Sequence, residues 1–309
     1  MMSQFVRRLA QALLIAGAVC GVLVGTANAE SMVIKHAQGE TTLDERPVKV
    51  LTFDLGVLDT LTALGVEVAG VPTGNKPDYL KSYEDQKYIK VGTFFEPDYE
   101  AVNAAEPDLI IIGGRSAPKY ADLSKIAPTI DLTIGSKPYL ETAEQNIRML
   151  AKIFGKESVA EPLLKKLESS AAAVKDKASK AGTGLLVLTT GGKMSTYGLG
   201  SRFDVLFSDL GVVPADQTIK VGSHGQAVTF EYVLKENPDW LYVIDRDAAI
   251  GEEGTAAKAF LDNEIVAKTT AWKSNQVVYL DPVAWYLVAG GITSMQKSID
   301  QLNEALSNS

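Results

Sequence analysis

The sequence has little of what most metal and redox sites are made from. Of its 309 residues, one is cysteine and two are histidine. Cys20 lies in the first 29 residues, which we expect to be removed, so the remaining chain would form neither a disulfide nor a thiolate site. His36 and His224 are far apart in sequence, and no HExxH motif is present, which argues against a zinc site of three histidines.

Basic residues are also scarce, with 30 lysines and arginines against 38 aspartates and glutamates. Without the first 29 residues the chain has 28 basic and 38 acidic residues, a net charge of −10. This balance excludes nucleic acid as an expected partner, because phosphate backbones require a basic face. Five arginines remain in that part of the chain: Arg46, Arg115, Arg148, Arg202 and Arg246.

The N-terminus predicts export. Arg7 and Arg8 precede an apolar run over residues 9–24, and Ala27-Asn28-Ala29 supplies the small residues at which signal peptides are cut. We therefore expect a signal peptide over residues 1–29, cleaved after Ala29, and a soluble periplasmic protein. The alternative of a membrane anchor is disfavoured because a span needs about 20 apolar residues. A lipoprotein is disfavoured because Cys20 follows a valine instead of a small residue.

One pattern occurs twice and organises the chain. A glutamate is followed after seven residues by Pro-Asp, then by an apolar strand, and after fifteen residues by an arginine. The first copy runs from Glu100 to Arg115 and the second from Glu231 to Arg246. The repeat predicts two similar α/β lobes with an arginine at each strand's carboxyl end, where ligands bind in open α/β sheets.

The order of apolar strand-like and helical segments in the rest of the chain predicts an α/β fold of two Rossmann-like lobes, over residues 30–155 and 183–309. Residues 157–180 are rich in Ala, Leu, Lys and Glu and predict a long rigid helix, which links the lobes over residues 156–182. A packed helix within one domain is the alternative. We also expect strands at 66–71 and 184–190, then a glycine-rich loop leading at 202 into a helix that runs through 210, and a loop over 281–286.

The candidate chemistry is anion binding. Arg115, Arg202 and Arg246 all follow strand-like segments, and the planar guanidinium makes bidentate contacts with anionic oxygens and stacks on aromatic rings. His224 lies in a glycine-flanked loop that could present its ring, whereas His36 fits a structural role. No nucleophile elbow, P-loop or dinucleotide fingerprint is present, so the pattern does not favour an enzyme.

These features resemble a known family. The signal peptide, the paired units, the linking helix and the segments FDLGVLDTLTALG, GGR, YGLGSRF, SHG, IDR and DPVAWYLVAGG are similar to the class III periplasmic binding proteins of ABC importers for iron siderophores. Within that group the chain looks like the binders of catecholate siderophores of the petrobactin and enterobactin type. The resemblance covers nearly the whole chain after residue 29.

The resemblance implies a role for each matching position. Arg115, Arg202, Arg246 and Tyr197 would bind a ferric catecholate, and His224 and Tyr286 would ligate the iron where the siderophore leaves coordination sites open. Glu100 and Glu231 would dock onto the membrane permease. The family further implies a monomer without an intrinsic cofactor, whose ligand is an Fe(III)–siderophore complex.

Two other functions remain open at this point. A haem-binding protein of the same fold could use His224 or Tyr286 as axial ligand. An extracytoplasmic hydrolase acting on the chelate is the alternative from another class. The helical link predicts only modest hinge motion, because a helix resists the dihedral changes that hinges absorb.

Overall fold

The computed structural model describes residues 31–135, 138–220, 222 and 224–307, which belong to one compact unit. The signal peptide expected at residues 1–29, with Cys20 and the cleavage point after Ala29, lies outside the described residues. The described part opens with an antiparallel hairpin of β1 (Met32–His36) and β2 (Gly39–Leu43).

Five parallel strands form the first sheet. They are β3 (Val50–Thr52), β4 (Gly70–Val71), β5 (Ile89–Lys90), β6 (Leu109–Ile112) and β7 (Thr129–Asp131). Their order is β5-β4-β3-β6-β7, so the chain builds outwards from β3 on one side and then returns to its other side with β6. The carboxyl ends of β3 and β6 therefore flank a topological switch point, which is where open α/β sheets bind ligands.

The second sheet is mixed. Its strands are β8 (Thr183–Thr190), β9 (Lys193–Tyr197), β10 (Val213–Pro214), β11 (Gln226–Val228), β12 (Trp240–Asp245) and β13 (Val277–Tyr279). The main order is β11-β9-β8-β12-β13, and β10 pairs with the start of β8. Strands β8, β12 and β13 are parallel, whereas β9 runs antiparallel to β8 and to β11.

Helices cover both sheets. They are α1 (Leu55–Ala63), α2 (Tyr99–Ala105), α3 (Tyr120–Leu123), α4 (Tyr139–Phe154), α5 (Glu157–Ala178), α6 (Phe230–Glu236), α7 (Arg246–Ile250), α8 (Ala257–Leu261), α9 (Thr270–Lys273), α10 (Pro282–Tyr286) and α11 (Ile292–Ser307). We call the first sheet with its helices the first lobe and the second sheet with its helices the second lobe.

The helix α5 links the two lobes, as the sequence predicted. It follows α4 of the first lobe and leads into β8 of the second. Its buried positions recur every three or four residues and form one stripe: Ala160, Leu164, Leu167, Ala171, Val174 and Ala178. This stripe explains why α5 packs along α4 and α11. The lobe boundaries at residues 155 and 183 stay predictions.

The repeated unit folds the same way in both lobes. The helices α2 and α6 each have seven residues and end at a left-handed residue, Glu106 (φ 47°) and Asn237 (φ 42°). The aspartate of each Pro-Asp pair then binds the start of the neighbouring strand. Asp108 accepts hydrogen bonds from the backbone amides of Val48 and Lys49, and Asp239 accepts one from the amide of Thr183. The repeat thus positions each central strand.

A buried carboxylate joins the first lobe to the last helix. Asp59 on α1 is fully buried and accepts hydrogen bonds from the backbone amides of Thr293 (3.0 Å) and Ser294 (2.8 Å) at the start of α11. The Tyr79 hydroxyl donates a third bond at 2.9 Å. Burial raises the pKa of Asp59, while these hydrogen bonds oppose the shift.

Four local expectations need correction. The segment over 193–197 is strand β9 instead of a glycine-rich loop, because its backbone completes the ladder along β8. The segment after Pro282 is the short helix α10, which Asp281 caps by accepting from two backbone amides. The strand expected over 66–71 spans only Gly70–Val71, and the helix expected through residue 210 is one π-helical turn, Val205–Asp209.

Candidate functional site

Arg115 is held at the carboxyl end of β6 by the neighbouring strand. The Gly113-Gly114 turn brings the chain out of the buried strand, and Gly114 has a positive φ of 31°. The backbone amide of Gly114 donates to the Thr133 hydroxyl at 2.8 Å, and that hydroxyl donates to Asp131 at the end of β7. These hydrogen bonds therefore hold the loop of Arg115 against the end of β7.

Arg246 occupies the matching position in the second lobe. It is the first residue of α7, directly after β12, and Asp245 caps this helix. Its guanidinium donates to the Thr190 hydroxyl at the end of β8, at 3.2 Å. Asp247 holds the same turn by accepting from the Thr190 hydroxyl and the Gly191 amide. The ends of β8 and β12 thus place this arginine.

Arg202 comes from the loop between β9 and the π-helical turn. Its guanidinium carbon lies 5.0 Å from the ring centre of Phe203, in cation–π range. Phe203 is buried and packs edge-on against Tyr197, with ring centres 4.9 Å apart. A buried aromatic pair therefore supports the base of the Arg202 loop.

The three arginines converge on Tyr286. Arg115 and Arg202 donate to its backbone carbonyl at 2.6 and 3.0 Å, and Arg246 donates from Nε to its phenol oxygen at 3.0 Å. Their guanidinium carbons lie 5.3, 4.5 and 5.7 Å from its ring centre, in the same order. We call these four residues the arginine–tyrosine cluster.

The electrostatics of this cluster favour an anion. Burial raises the pKa of Tyr286, but the hydrogen bond from Arg246 and the three positive charges outweigh burial and place that pKa below its ordinary value. Burial, followed by the charge of Arg202, lowers the pKa of Arg115. Each shift has the sign expected where positive charge is concentrated in a partly buried site.

A cleft opens beside the cluster. A cavity of about 480 Å³ has walls formed by Asp54, Gly114, Arg115, Leu132, Ile134, Gly135, Tyr139, Arg202 and Ala289. Asp54 stands at the end of β3, on the other side of the switch point from Arg115, and caps α1 by accepting from two backbone amides. The position of Asp54 in the cleft depends on the pairing of β3 with β6, which joins segments far apart in sequence.

Tyr197 and His224 lie in different surroundings. Tyr197 is 4% exposed, and its phenol is within electrostatic range of Arg202 and Arg246. Gly225 lets the chain pass this ring, because a Cβ on it would lie 2.8 Å from two ring atoms. His224 is exposed, and Val221 and Ser223 beside it are outside the described residues. By contrast, His36 packs against Tyr120 and contacts the Thr41 hydroxyl.

The two repeated glutamates lie at the same ends of their sheets as Arg115 and Arg246. Glu100 and Glu231 are exposed in the first turns of α2 and α6. The helix α2 follows β5, and α6 follows β11, which is parallel to β8 because both are antiparallel to β9. Both glutamates therefore lie at the carboxyl-end edges of their sheets.

The described residues hold no preformed metal site of the usual acidic or histidine type. No group of three or more histidine, cysteine, aspartate or glutamate side chains is close enough there to bind a metal ion. Over the same ranges, no helix combines the length and apolar character that crossing a membrane requires.

Comparison with known proteins identifies the family. A family model for periplasmic binding proteins matches residues 50–284, and the chain belongs to this family. Among its relatives is the petrobactin-binding protein YclQ of Bacillus subtilis, 41% identical over 282 residues, 90% of this chain and 89% of YclQ. The ferric-anguibactin-binding protein FatB of Vibrio anguillarum is 31% identical over 277 residues, 88% of this chain and 86% of FatB.

Solved structures agree with this assignment. The crystal structure of YclQ superimposes with a TM-score of 0.85, covering 90% of this chain and 99% of the chain in that crystal structure. The periplasmic catecholate-siderophore binding protein VctP of Vibrio cholerae is 33% identical, with a TM-score of 0.85, covering 91% of this chain and all of the chain in the VctP crystal structure. The predicted class III fold, with two α/β lobes and a linking helix, is thereby confirmed. The relatives are named as binding proteins, not as enzymes.

Proposed function

We propose that this protein binds a ferric catecholate siderophore in the cleft beside the arginine–tyrosine cluster and delivers it to an ABC importer. The observation that carries the proposal is the meeting of Arg115, Arg202 and Arg246 at one tyrosine, at cation–π distances of 4.5–5.7 Å. The names of YclQ, FatB and VctP support the ligand class.

The chemistry of the ligand matches the cluster. A ferric tris-catecholate carries three negative charges and exposes aromatic faces. Guanidinium groups serve both features, because they donate paired hydrogen bonds to oxygen and stack on rings. The arginines already hold one phenol ring, that of Tyr286, and a catecholate presents the same kind of ring and oxygen. Haem carries less negative charge than a ferric tris-catecholate, so it would make fewer charged contacts with the three arginines.

Tyr286 and His224 are our proposed iron ligands for siderophores that leave two coordination sites open. A phenolate is a hard ligand suited to Fe(III), and a neutral imidazole also binds iron. The lowered pKa of Tyr286 supports this role, because only the deprotonated oxygen ligates. We propose that Tyr197 contributes to ligand binding mainly by supporting the loops of Arg202 and Gly225.

Delivery requires contact with the permease. We propose that Glu100 and Glu231 make it, since both are exposed at the sheet edges where the cleft opens. We further propose a monomer without catalytic activity or intrinsic cofactor, exported through a signal peptide over residues 1–29 and cleaved after Ala29. Its lobes, residues 30–155 and 183–309, would move little against each other because α5 links them.

A tryptophan-fluorescence titration tests the ligand class. Trp285 is a suitable reporter because it is buried and adjacent to Tyr286. We expect tight quenching by a ferric bis-catecholate and a ferric tris-catecholate, and weak quenching by a ferric hydroxamate and by haemin. Preference for haemin would replace the proposal with a haem-binding protein. Turnover of a catecholate ester would replace it with a hydrolase.

A further inference from the structure

Two aromatic side chains are exposed in the chain shortly before Glu100. Phe95, in the segment that leads from β5 into α2, is 55% exposed, and Tyr99, the first residue of α2, is 37% exposed. Large apolar side chains in water are common singly, but two of them next to a charged residue are typical of an interaction surface. Aromatic residues are also enriched at protein–protein contacts.

The backbone holds Phe95 outward. Residues 92–97 form a tight turn, closed by a bridge between Gly92 and Pro97 and by a hydrogen bond from the Thr93 amide to the Glu96 carbonyl. The Thr93 hydroxyl accepts from the amide of Phe95 at 3.2 Å. A rigid turn lowers the entropy lost when its side chain binds a partner.

Neighbouring side chains fix the turn from both sides. Phe94 points inward and meets Gly74, where a Cβ would lie 2.7 Å from its ring. On the outer side, Lys119 forms an ion pair with Glu96, with contacts of 2.8 and 2.9 Å. Phe95 therefore remains exposed although its neighbour Phe94 is packed.

The described residues around Glu231 lack this feature. The aromatic residue next to Glu231 is Phe230, which packs against Phe260 with ring centres 4.9 Å apart. The following Tyr232 donates its hydroxyl to Asp216 at 2.7 Å. The two repeated units therefore share their glutamates but differ in the surface chemistry beside them, and of the two glutamates only Glu100 follows an exposed phenylalanine in the described chain.

We infer that Phe95 is an apolar anchor for the permease, inserted into a recess with a basic rim. The inference rests on the proposed function and extends its docking surface. Glu100 is exposed in the helix turn that follows and gives this part of the surface a negative charge, whereas the charge of Glu96 is balanced by Lys119. A basic rim is therefore the complementary partner surface. The turn follows the carboxyl end of β5, on the sheet edge that also carries Arg115, and so faces the same way as the cleft.

Uptake by cells provides the test, because it uses the native permease. The chain is replaced in its source organism by Phe95→Ala, Phe95→Leu or Val48→Ala, and uptake of a ferric bis-catecholate with radiolabelled iron is measured at equal protein levels. Val48 is the matched control, since it is 82% exposed but precedes β3 at the opposite sheet edge. Quenching by the same chelate is measured on each purified variant.

We expect Phe95→Ala to raise the chelate concentration for half-maximal uptake roughly fivefold or more, the effect of losing an interface anchor. Quenching should stay at the wild-type level, Phe95→Leu should recover most of the uptake, and Val48→Ala should behave as wild type. If Phe95→Ala takes up the chelate like the wild type, Phe95 is not an anchor, although the proposed function still stands. The same conclusion follows if Val48→Ala loses as much uptake as Phe95→Ala. Weaker quenching by Phe95→Ala also rejects the anchor. Absence of both quenching and uptake with the wild-type protein rejects the proposed function itself.

Discussion

The Nε atom of Arg246 lies 3.0 Å from the phenol oxygen of Tyr286 and donates a hydrogen bond to it. This contact joins the end of β12 to the end of α10, two segments forty residues apart. It also brings one positive charge directly to an oxygen that can ionise. The other two arginines bind the backbone carbonyl of the same residue, so the side-chain oxygen has a single arginine donor.

The ionisation of Tyr286 should reflect this arrangement. Positive charge stabilises the phenolate, so its pKa lies below the ordinary value, whereas burial raises the pKa of Tyr139, Tyr197 and Tyr242. We predict that a spectroscopic pH titration of the protein shows a tyrosine that ionises at lower pH than free tyrosine. Tyr286→Phe should remove this early transition. Its persistence in that variant would assign it to another tyrosine.

The iron ligands should matter only when the siderophore leaves sites open. We predict that His224→Ala and Tyr286→Phe weaken binding of a ferric bis-catecholate by roughly tenfold or more, about 1.4 kcal/mol. A ferric tris-catecholate has no free iron site, so His224→Ala should leave its affinity unchanged. Fluorescence titration measures both. Equal losses for the two chelates with His224→Ala would mean that His224 contacts the siderophore and not the iron.

The repeated glutamates should act after binding. Glu100→Lys and Glu231→Lys reverse charges on exposed helix turns outside the cleft, so the quenching titration should be unchanged. Uptake should fall in each variant, because a basic permease surface would repel the new lysine. Glu157→Lys is the control and should retain uptake, because Glu157 is likewise exposed in the first turn of a helix, α5, and belongs to neither repeated unit. Normal uptake by both test variants would contradict their docking role.

The hydrogen bonds that Asp59 accepts join α1 to α11, and they should contribute to the stability of the fold but not to binding of the siderophore. Asp59→Ala leaves the amides of Thr293 and Ser294 and the Tyr79 hydroxyl without their acceptor, so we predict a loss of about 1–3 kcal/mol in the free energy of unfolding. Asp59→Asn should lose less, because asparagine also caps helices. Urea denaturation followed by circular dichroism measures the change. Asp78→Ala, which removes an exposed ion pair, should have no measurable effect.

The repeated unit could be predicted because its signals are local. A helix that ends before Pro-Asp, a run of apolar residues and a terminal arginine follow one another in the chain, so their spacing alone predicted β6, β12 and the positions of Arg115 and Arg246. The linking helix was predictable for the same reason, since its composition favours a helix over its whole length.

The remaining features depend on contacts between distant segments. Strand β9 was missed because glycines around it indicate a loop, and its pairing with β8 decides the outcome. The position of Asp54 in the cleft follows from the strand order of the first sheet, which periodicity does not report. The role of Tyr286 as the meeting point of three arginines is likewise tertiary, although the resemblance to siderophore binders drew attention to it.

The most direct test of the account is a fluorescence titration of a ferric bis-catecholate with Arg115→Gln, Arg202→Gln, Arg246→Gln and the wild-type protein. Arg148→Gln is the control, because Arg148 lies outside the cleft, where it pairs with Glu144 on its own helix α4 and with Glu161 and Glu168 on α5. The account predicts that each cleft variant loses affinity roughly thirtyfold or more, the effect of about 2 kcal/mol from a buried charged contact. The control should match the wild type. Wild-type affinity in all three cleft variants would contradict the claim that the arginine–tyrosine cluster holds the ligand.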